Sequence, residues 1–99
     1  RTRMLRAYAA SEARIHGLAS MRLGPSIVTA MIGYPTTGRA DPTNAEPTVK
    51  AIIDGLVDAR VWDDDDHTHL PLVAFARDPQ KPPKGIHAVT LIIQEQETQ

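Results

Sequence analysis

The stretch SIVTAMIG, residues 26–33, decides the fold of this chain. Its mostly apolar character predicts a β-strand covered on both faces, and therefore a central strand of a sheet. Gly24-Pro25 separates this strand from the segment before it. Tyr34-Pro35 and Gly38 open a loop that continues through Asp41-Pro42.

An amphipathic helix is predicted on each side of this strand, over residues 2–20 and 45–60. Asn44 is the expected cap of the second helix, and Pro47 fits only in its first turn. Lys50 and Asp54 are four residues apart on one flank of its apolar stripe. The predicted stripes are Met4, Leu5, Tyr8, Ile15, Leu18 and Ala19 in the first helix, and Val49, Ile52, Ile53, Leu56 and Val57 in the second.

Two further strands are predicted over residues 67–76 and 86–94. Pro71 within the first of them indicates an edge strand or a bulge. We expect the two strands to form an antiparallel hairpin and residues 95–99 to be a frayed polar tail. The order α-β-α-β-β predicts one small α+β domain over residues 1–99, with about three strands packed against two helices.

The composition limits the class of protein. The chain has 99 residues, and 41% of them are hydrophobic but only 4% aromatic, so its core rests on aliphatic side chains. The lack of cysteine excludes disulfides and thiolate metal sites and is typical of a cytoplasmic protein. No apolar run approaches the ~18 residues of a membrane span, so no membrane partner is expected. A domain this small gains stability from a homodimer interface.

Charge is distributed unevenly along the chain. Residues 1–40 carry a net charge of +5, residues 41–66 carry −6, and residues 67–99 are neutral. A basic first part beside an acidic middle is what a nuclease needs, since arginines face phosphate and carboxylates hold metal. Chance unevenness in a short chain is the alternative.

Four consecutive aspartates, Asp63 to Asp66, follow the apolar pair Val61-Trp62. Adjacent carboxylates repel one another, and a divalent cation offsets that repulsion; a solvated acidic turn is the other interpretation. Asp41 lies at the other end of the second helix, and the two acidic regions flank one cleft only if the preceding loop folds back. Hard oxygen ligands suit Mg²⁺ or Mn²⁺, and a nearby lysine stabilises charge on phosphate.

Other patterns give weaker hypotheses. His67 and His69 would lie on one face of a strand, which suits either a zinc or manganese site of a phosphohydrolase or two exposed histidines. Lys81 and Lys84 either contact a DNA backbone or lie in a solvated loop. Trp62 is predicted to be in the core. The aspartate run is not an EF-hand loop, because the Gly and Glu of that motif are missing.

The stretch DPTNAEPTVKAIIDGLVDARVWDDDDHTH, residues 41–69, resembles the signature of RusA-like Holliday junction resolvases. That signature has a D-x-D-N or D-P-x-N turn, a helix carrying K-A-x-x-D-x-L, and one or two apolar residues before a D-D pair. The segment KPPKGIHAVTLII, residues 81–93, also resembles family members that end in a Gly-led strand. The resemblance implies a homodimeric, Mg²⁺-dependent endonuclease that resolves four-way or related branched DNA, with Mn²⁺ as an alternative ion.

The resemblance also implies a role for individual residues. Asp41 matches the first catalytic aspartate, and Asn44 the Asn that closes the turn. Lys50 matches the catalytic lysine and Asp54 the helix aspartate that orients it. The remaining assignments are Asp65 as the essential aspartate of the D-D pair and Asp41, Asp64 and Asp65 as metal ligands. Positive charge, rather than the resemblance, makes Arg3, Arg6, Arg39, Lys81 and Lys84 the expected contacts to the DNA backbone. The alternative for the arginines of the first helix is that they keep one helix face soluble.

Two departures from the family pattern are relevant. Thr43 stands where many members have a second turn aspartate, which removes one ligand and leaves open a lapsed nuclease that binds branched nucleic acid or a protein without cleavage. Family members also usually have a strand before the first helix. The chain begins at Arg1 rather than Met, so a missing N-terminal strand also stays open.

Overall fold

The central strand pairs with a neighbour along each of its edges. A computed structural model describes residues 2–64 and 66–96. Strand β1 is Ser26–Gly33, β2 is Leu72–Arg77 and β3 is Ala88–Glu95, in the spatial order β2-β1-β3. The predicted central position of residues 26–33 is therefore confirmed, and β2 is an edge strand as Pro71 indicated.

The predicted hairpin between the last two strands is wrong. β2 runs parallel to β1, and β3 runs antiparallel to β1 along its other edge. A helix connects β1 to β2 and returns the chain to the starting end of β1, which makes the two strands parallel. The connection from β2 to β3, residues 78–87, is long enough to cross the end of β1. Pairing there satisfies the hydrogen-bonding groups of the most apolar strand on both sides.

Two helices pack together beside the sheet. Helix α1 is Thr2–Ile15 and α2 is Glu46–Asp58, preceded by a 3-10 helix at Pro42–Ala45. The α+β class and the order α-β-α-β-β are confirmed, and Pro47 lies in the first turn of α2. The expected Asn44 cap is wrong, because Ala45 is the N-cap of α2 and makes no side-chain bond. No helix in the described ranges is long and apolar enough to cross a membrane.

Both helices end earlier than predicted, through the same backbone motif. At the end of α1, Gly17 has a positive φ of 75°, and the N–H of Leu18 donates to Ala13 O at 2.8 Å. At the end of α2, Arg60 has a φ of 64°, and the N–H of Val61 donates to Leu56 O at 3.0 Å. These are Schellman motifs, in which a left-handed residue reverses the chain.

The helices approach one another closely through small residues. Ala9, Ala10 and Ala13 of α1 are buried, whereas Met4, Tyr8 and Ile15 are exposed, so the predicted stripe of α1 is wrong for these three positions. A Cβ placed on Gly55 of α2 would collide with the carbonyl oxygen of Arg6 and approach the Ala9 Cβ to 2.8 Å. Only a helix surface of small side chains permits this contact.

The two faces of the sheet have different surroundings. The face covered by the helices, called the closed face, carries Val28, Ala30, Ile32, Val73, Phe75, Val89, Leu91 and Ile93. Strand alternation puts the other side chains on what we call the open face: Ile27, Thr29, Met31, Leu72, Ala74, Ala76, Ala88, Thr90, Ile92 and Gln94. β1 is therefore covered by helices on one face, whereas its apolar sequence predicted cover on both.

Candidate functional site

Asp41 lies beyond the carboxyl end of β1, at the start of the 3-10 helix. Its Oδ1 accepts hydrogen bonds from the Thr43 backbone N–H at 3.0 Å and the Thr43 hydroxyl at 2.7 Å. The Tyr34 hydroxyl donates to the Asp41 backbone oxygen at 3.3 Å. The Thr43 hydroxyl lowers the pKa of Asp41, with a further contribution from the Thr43 N–H. Asp41 is therefore a carboxylate at neutral pH, and Thr43 orients it.

Arg77, at the end of β2, holds the loop that leads to Asp41. Its guanidinium donates to Gly38 O at 2.6 Å and to Thr36 O at 2.5 Å. The same group lies 5.1 Å from the centre of the Tyr34 ring. Sequence reasoning missed Arg77, because the signal depends on the parallel register, which pairs it with Ile32, two residues before Tyr34.

Two predicted DNA contacts lie at this end of the sheet. Arg39 lines a shallow cleft of about 350 Å³ with Asp41 and Asn44. Lys81 lines another cleft, of about 280 Å³, with Tyr34 and Arg77. Lys84 is exposed in the turn before β3. The group of Arg39, Asp41, Asn44, Arg77 and Lys81 is called the Asp41 end below.

Lys50 and Asp54 form the ion pair that their spacing predicted. Lys50 Nζ lies 2.8 Å from Asp54 Oδ1, on the outer surface of α2. The Arg6 Nη1 lies 3.9 Å from the other Asp54 oxygen. Arg3 lies beside them, since it lines a small cleft with Arg6, Ala51 and Asp54. One surface thus combines the catalytic lysine and helix aspartate that the resemblance implies with two of the DNA contacts that positive charge predicts.

Arg6 also joins the two helices through Asp58. Its Nε and Nη2 donate to the two Asp58 oxygens at 2.6 and 2.9 Å. This bidentate pairing lowers the pKa of Asp58. A phosphate bound by Arg6 would compete with two carboxylates, so Arg6 is placed less favourably for DNA contact than Arg39.

The aspartate run lies at the amino end of β1. Trp62 is fully buried, as predicted, and its Nε1 donates to Ser26 Oγ at 3.0 Å. Asp63 then emerges at the surface, 3.9 Å from the Arg22 guanidinium. Asp64 is exposed, and Asp65, the essential aspartate of the resemblance, lies outside the described residues. This region is called the Asp64 end below.

Residues 67–69 form a turn and β2 begins at Leu72, which corrects the predicted strand over residues 67–76. Asp66 Oδ1 accepts a hydrogen bond from the Thr68 hydroxyl at 2.6 Å. The same oxygen lies 2.7 Å from His69 Nδ1. The hydrogen bond with Asp66 raises the pKa of His69, and bonds from Thr68 and His69 lower the pKa of Asp66. His67 and His69 therefore do not share a strand face, and Asp66 is the partner of His69.

The two acidic regions lie at opposite ends of β1. Asp41 lies beside Tyr34, just beyond Gly33, whereas His69 O accepts the N–H of Ser26 at 2.8 Å. Seven steps of β-strand separate these ends by roughly 23 Å. Within residues 2–64 and 66–96, no three His, Asp or Glu side chains lie close enough together to hold a metal ion. The loop before α2 thus does not fold back to bring Asp41 to Asp64.

Comparison with known proteins gives no relative from which a function can be taken. No protein-family model, curated protein or solved structure matches this chain.

Proposed function

We propose that this protein is a RusA-like, Mg²⁺-dependent and structure-selective endodeoxyribonuclease. It hydrolyses phosphodiester bonds in four-way or related branched DNA, and Mn²⁺ can replace Mg²⁺. DNA as the substrate implies a cytoplasmic location. The observation that carries the proposal is the Asp41 end, where a carboxylate kept ionised by Thr43 lies beside Arg39 just beyond the central strand.

The Asp41 end supports binding of a phosphate together with a cation. Both hydrogen bonds from Thr43 are made to Oδ1, so a metal ion approaches Asp41 most easily through Oδ2. Arg39 supplies positive charge for a non-bridging phosphate oxygen in the same cleft. In α/β sheets, ligands bind beyond the carboxyl ends of strands, where Asp41 lies.

Lys50 and Asp54 supply the second part of the proposed mechanism. Their 2.8 Å contact restricts the position of the Lys50 ammonium on the outer surface of α2. In the proposal, Lys50 stabilises charge on the pentavalent phosphate or orients the attacking water, and Asp54 orients Lys50. Asp64 and Asp65 complete the metal ligands, as the resemblance implies.

A shared metal ion requires a second copy of the chain. One chain separates Asp41 from the Asp64 end by most of the length of β1, so its own carboxylates do not meet. We therefore place the composite site in a homodimer, where the Asp64 end of one copy meets the Asp41 end of the other. The open face supports such a dimer, because none of its ten side chains is charged.

The geometry of stacked sheets favours this arrangement. Two identical faces pack about a two-fold axis, at a sheet separation of about 10 Å. If the axis is perpendicular to the strands, the carboxyl end of β1 in one copy lies over the amino end of β1 in the other. Each dimer then has two sites, which suits paired cuts in a symmetric junction.

The test of function is cleavage of a synthetic four-way junction in Mg²⁺. We expect nicked duplex products from the wild type and a loss of at least 100-fold for Asp41→Asn, since a metal ligand becomes neutral. Ile15→Ala is the control and retains cleavage, because Ile15 is an exposed side chain of α1 that belongs to neither acidic end. Absence of cleavage in Mg²⁺ and in Mn²⁺, with the junction still bound, contradicts the nuclease.

Subunit mixing tests the composite site. Asp41→Asn and Asp64→Asn are each expected to lose cleavage. If the site forms between copies, a mixture refolded together recovers activity, since one of the two sites in a mixed dimer keeps both aspartates. If both aspartates act within one copy, every site in the mixed dimer lacks one of them and no activity returns.

The second candidate is a non-catalytic module that binds branched nucleic acid. The separation of Asp41 from Asp64 within one chain favours it, and so does Thr43, which occupies Asp41 Oδ1 with two hydrogen bonds. This candidate predicts junction binding that is unchanged in Asp41→Asn and no turnover with either metal ion. Binding to a protein partner instead predicts no affinity for the junction.

A further inference from the structure

A cleft beside the Asp41 end has no role in the proposed mechanism. It has a volume of about 650 Å³ and lies between α1, the start of α2 and the ends of β1 and β3. Its walls are mainly apolar and aromatic, and among residues 2–64 and 66–96 no Lys, Arg, Asp or Glu side chain lines it. It shares Asn44 with the cleft that contains Arg39 and Asp41, so the two clefts are neighbours.

We propose that this cleft binds one unpaired nucleobase of a branched DNA substrate, next to the phosphate held at the Asp41 end. This inference rests on the proposed function, since it assumes that DNA lies across the Asp41 end. It adds the requirement that the substrate presents a nucleotide whose base has left the stack. A base pair within a duplex does not meet that requirement.

The aromatic side chains of the cleft are already positioned. Glu12, one turn along α1, interacts with the Tyr8 hydroxyl and raises the pKa of Tyr8. Tyr34 is held by its bond to Asp41 O, by the Arg77 guanidinium at 5.1 Å and by the His87 ring at 5.6 Å and 89°. Rings with fixed orientation offer a stacking surface with little loss of side-chain entropy.

Exposure supports a ligand at this position. Met4 is 77% exposed and Tyr8 is 63% exposed, although both lie on the helix side of the sheet. A flat heteroaromatic ligand would remove both side chains from water. Asn44 and Thr48 are the polar groups of the wall, and they can form hydrogen bonds with the edge of a base. A neutral wall fits an uncharged base, while Arg39 outside the cleft fits its phosphate.

The first experiment is photo-cross-linking without metal ion, so that it does not depend on cleavage. A four-way junction carries 5-iodouracil at the crossover, and a single-stranded pentanucleotide carries it at its centre. Cross-links mapped by mass spectrometry are expected at Tyr8, Tyr34 or His87. Cross-links confined to other residues, or their absence with both probes, overturn the inference.

The second experiment measures binding of the junction by matched variants. Loss of one base–aromatic stack predicts that Tyr8→Ala weakens binding by roughly 5- to 150-fold. Tyr8→Phe keeps the ring, and Ile15→Ala removes an exposed apolar side chain outside the cleft on the same helix, so both are expected within about twofold of the wild type. Equal affinities of Tyr8→Ala and Ile15→Ala contradict the proposal.

The outcomes distinguish this inference from the proposed function. If the junction is cleaved, but Tyr8→Ala does not change affinity for it and no cross-link forms in the cleft, the proposed nuclease stands and the base site is rejected. A cross-link of the pentanucleotide at Tyr8, without junction binding, keeps the base site and removes the junction as substrate.

Discussion

The closed and open faces of the sheet are built from similar side chains but have different surroundings. Ile32 on the closed face is 2% exposed, whereas Ile92 on the open face is 47% exposed. Helices cover the first face, and no charged side chain lies on the second. Antiparallel sheets with one face in water usually carry polar side chains on that face. This difference is why the proposed dimer is placed on the open face.

The largest expected effect compares the same substitution on the two faces. Ile32→Ala leaves a cavity under the helices and should lower the free energy of unfolding by about 2–5 kcal/mol. Ile92→Ala should lower it by less than about 1 kcal/mol in a monomer, since little burial is lost. Urea unfolding at low protein concentration measures both. Equal losses would mean that the open face is covered within one chain.

The layer over the closed face gives the second test. Gly55→Ala should lower the free energy of unfolding by about 1–3 kcal/mol, because the added Cβ collides with α1 at the Arg6 carbonyl and Ala9. The collision outweighs the gain in helix propensity, which is about 1 kcal/mol. Gly38→Ala is the control, since the nearest atom to its Cβ would be 3.9 Å away. Thermal unfolding measures both variants. A lower melting temperature for Gly38→Ala than for Gly55→Ala would contradict the close helix contact.

The open face itself is tested by adding a charge. Ile92→Lys should weaken self-association by at least about tenfold, or ~1.4 kcal/mol, because the ammonium would be buried between two sheets. Sedimentation equilibrium over a range of concentrations gives the dissociation constant. Ile15→Lys, on an exposed part of α1, serves as the control and should leave the constant unchanged. If the wild type is a monomer at all concentrations, the open face is not a dimer surface.

The smallest expected effect concerns the turn at the Asp64 end, away from both faces. His69 should titrate above the ordinary value for histidine, because it bonds to Asp66. A raised pKa in the folded state stabilises the fold below about pH 6.5, and this contribution is lost as pH rises through the folded value. Asp66→Asn should return the His69 pKa toward its ordinary value in an NMR titration. Asp63→Asn removes only a weaker electrostatic contribution, so it should lower the His69 pKa less than Asp66→Asn does.

Local sequence signals predicted the elements well where periodicity and composition agree. Residues 26–33 form the central strand, and the apolar period of residues 45–60 gives α2. The Lys50–Asp54 contact followed from their spacing within one helix. The end of α1 was missed because Gly17 was not recognised as the left-handed residue that closes the helix.

The candidate site was predicted less well, because its parts come from different ends of the sheet. Asp41 and the aspartate run belong to the same stretch of the resemblance, residues 41–69. In the fold they are far apart, because α2 carries the chain from one end of β1 to the other. Arg77 was missed because it is adjacent to the loop before Asp41 only through the parallel register of β2.

The sequence by itself determined the element order, the apolar central strand and the charged side chains of α2, since these depend on contacts between near neighbours. Only the tertiary structure decided that β3 pairs with β1, that alanines rather than Met4 and Tyr8 of α1 are buried, and that Asp41 and Asp64 are apart. The physical reason is that strand partners and helix contacts depend on residues distant in sequence, whose packing energies outweigh local preference.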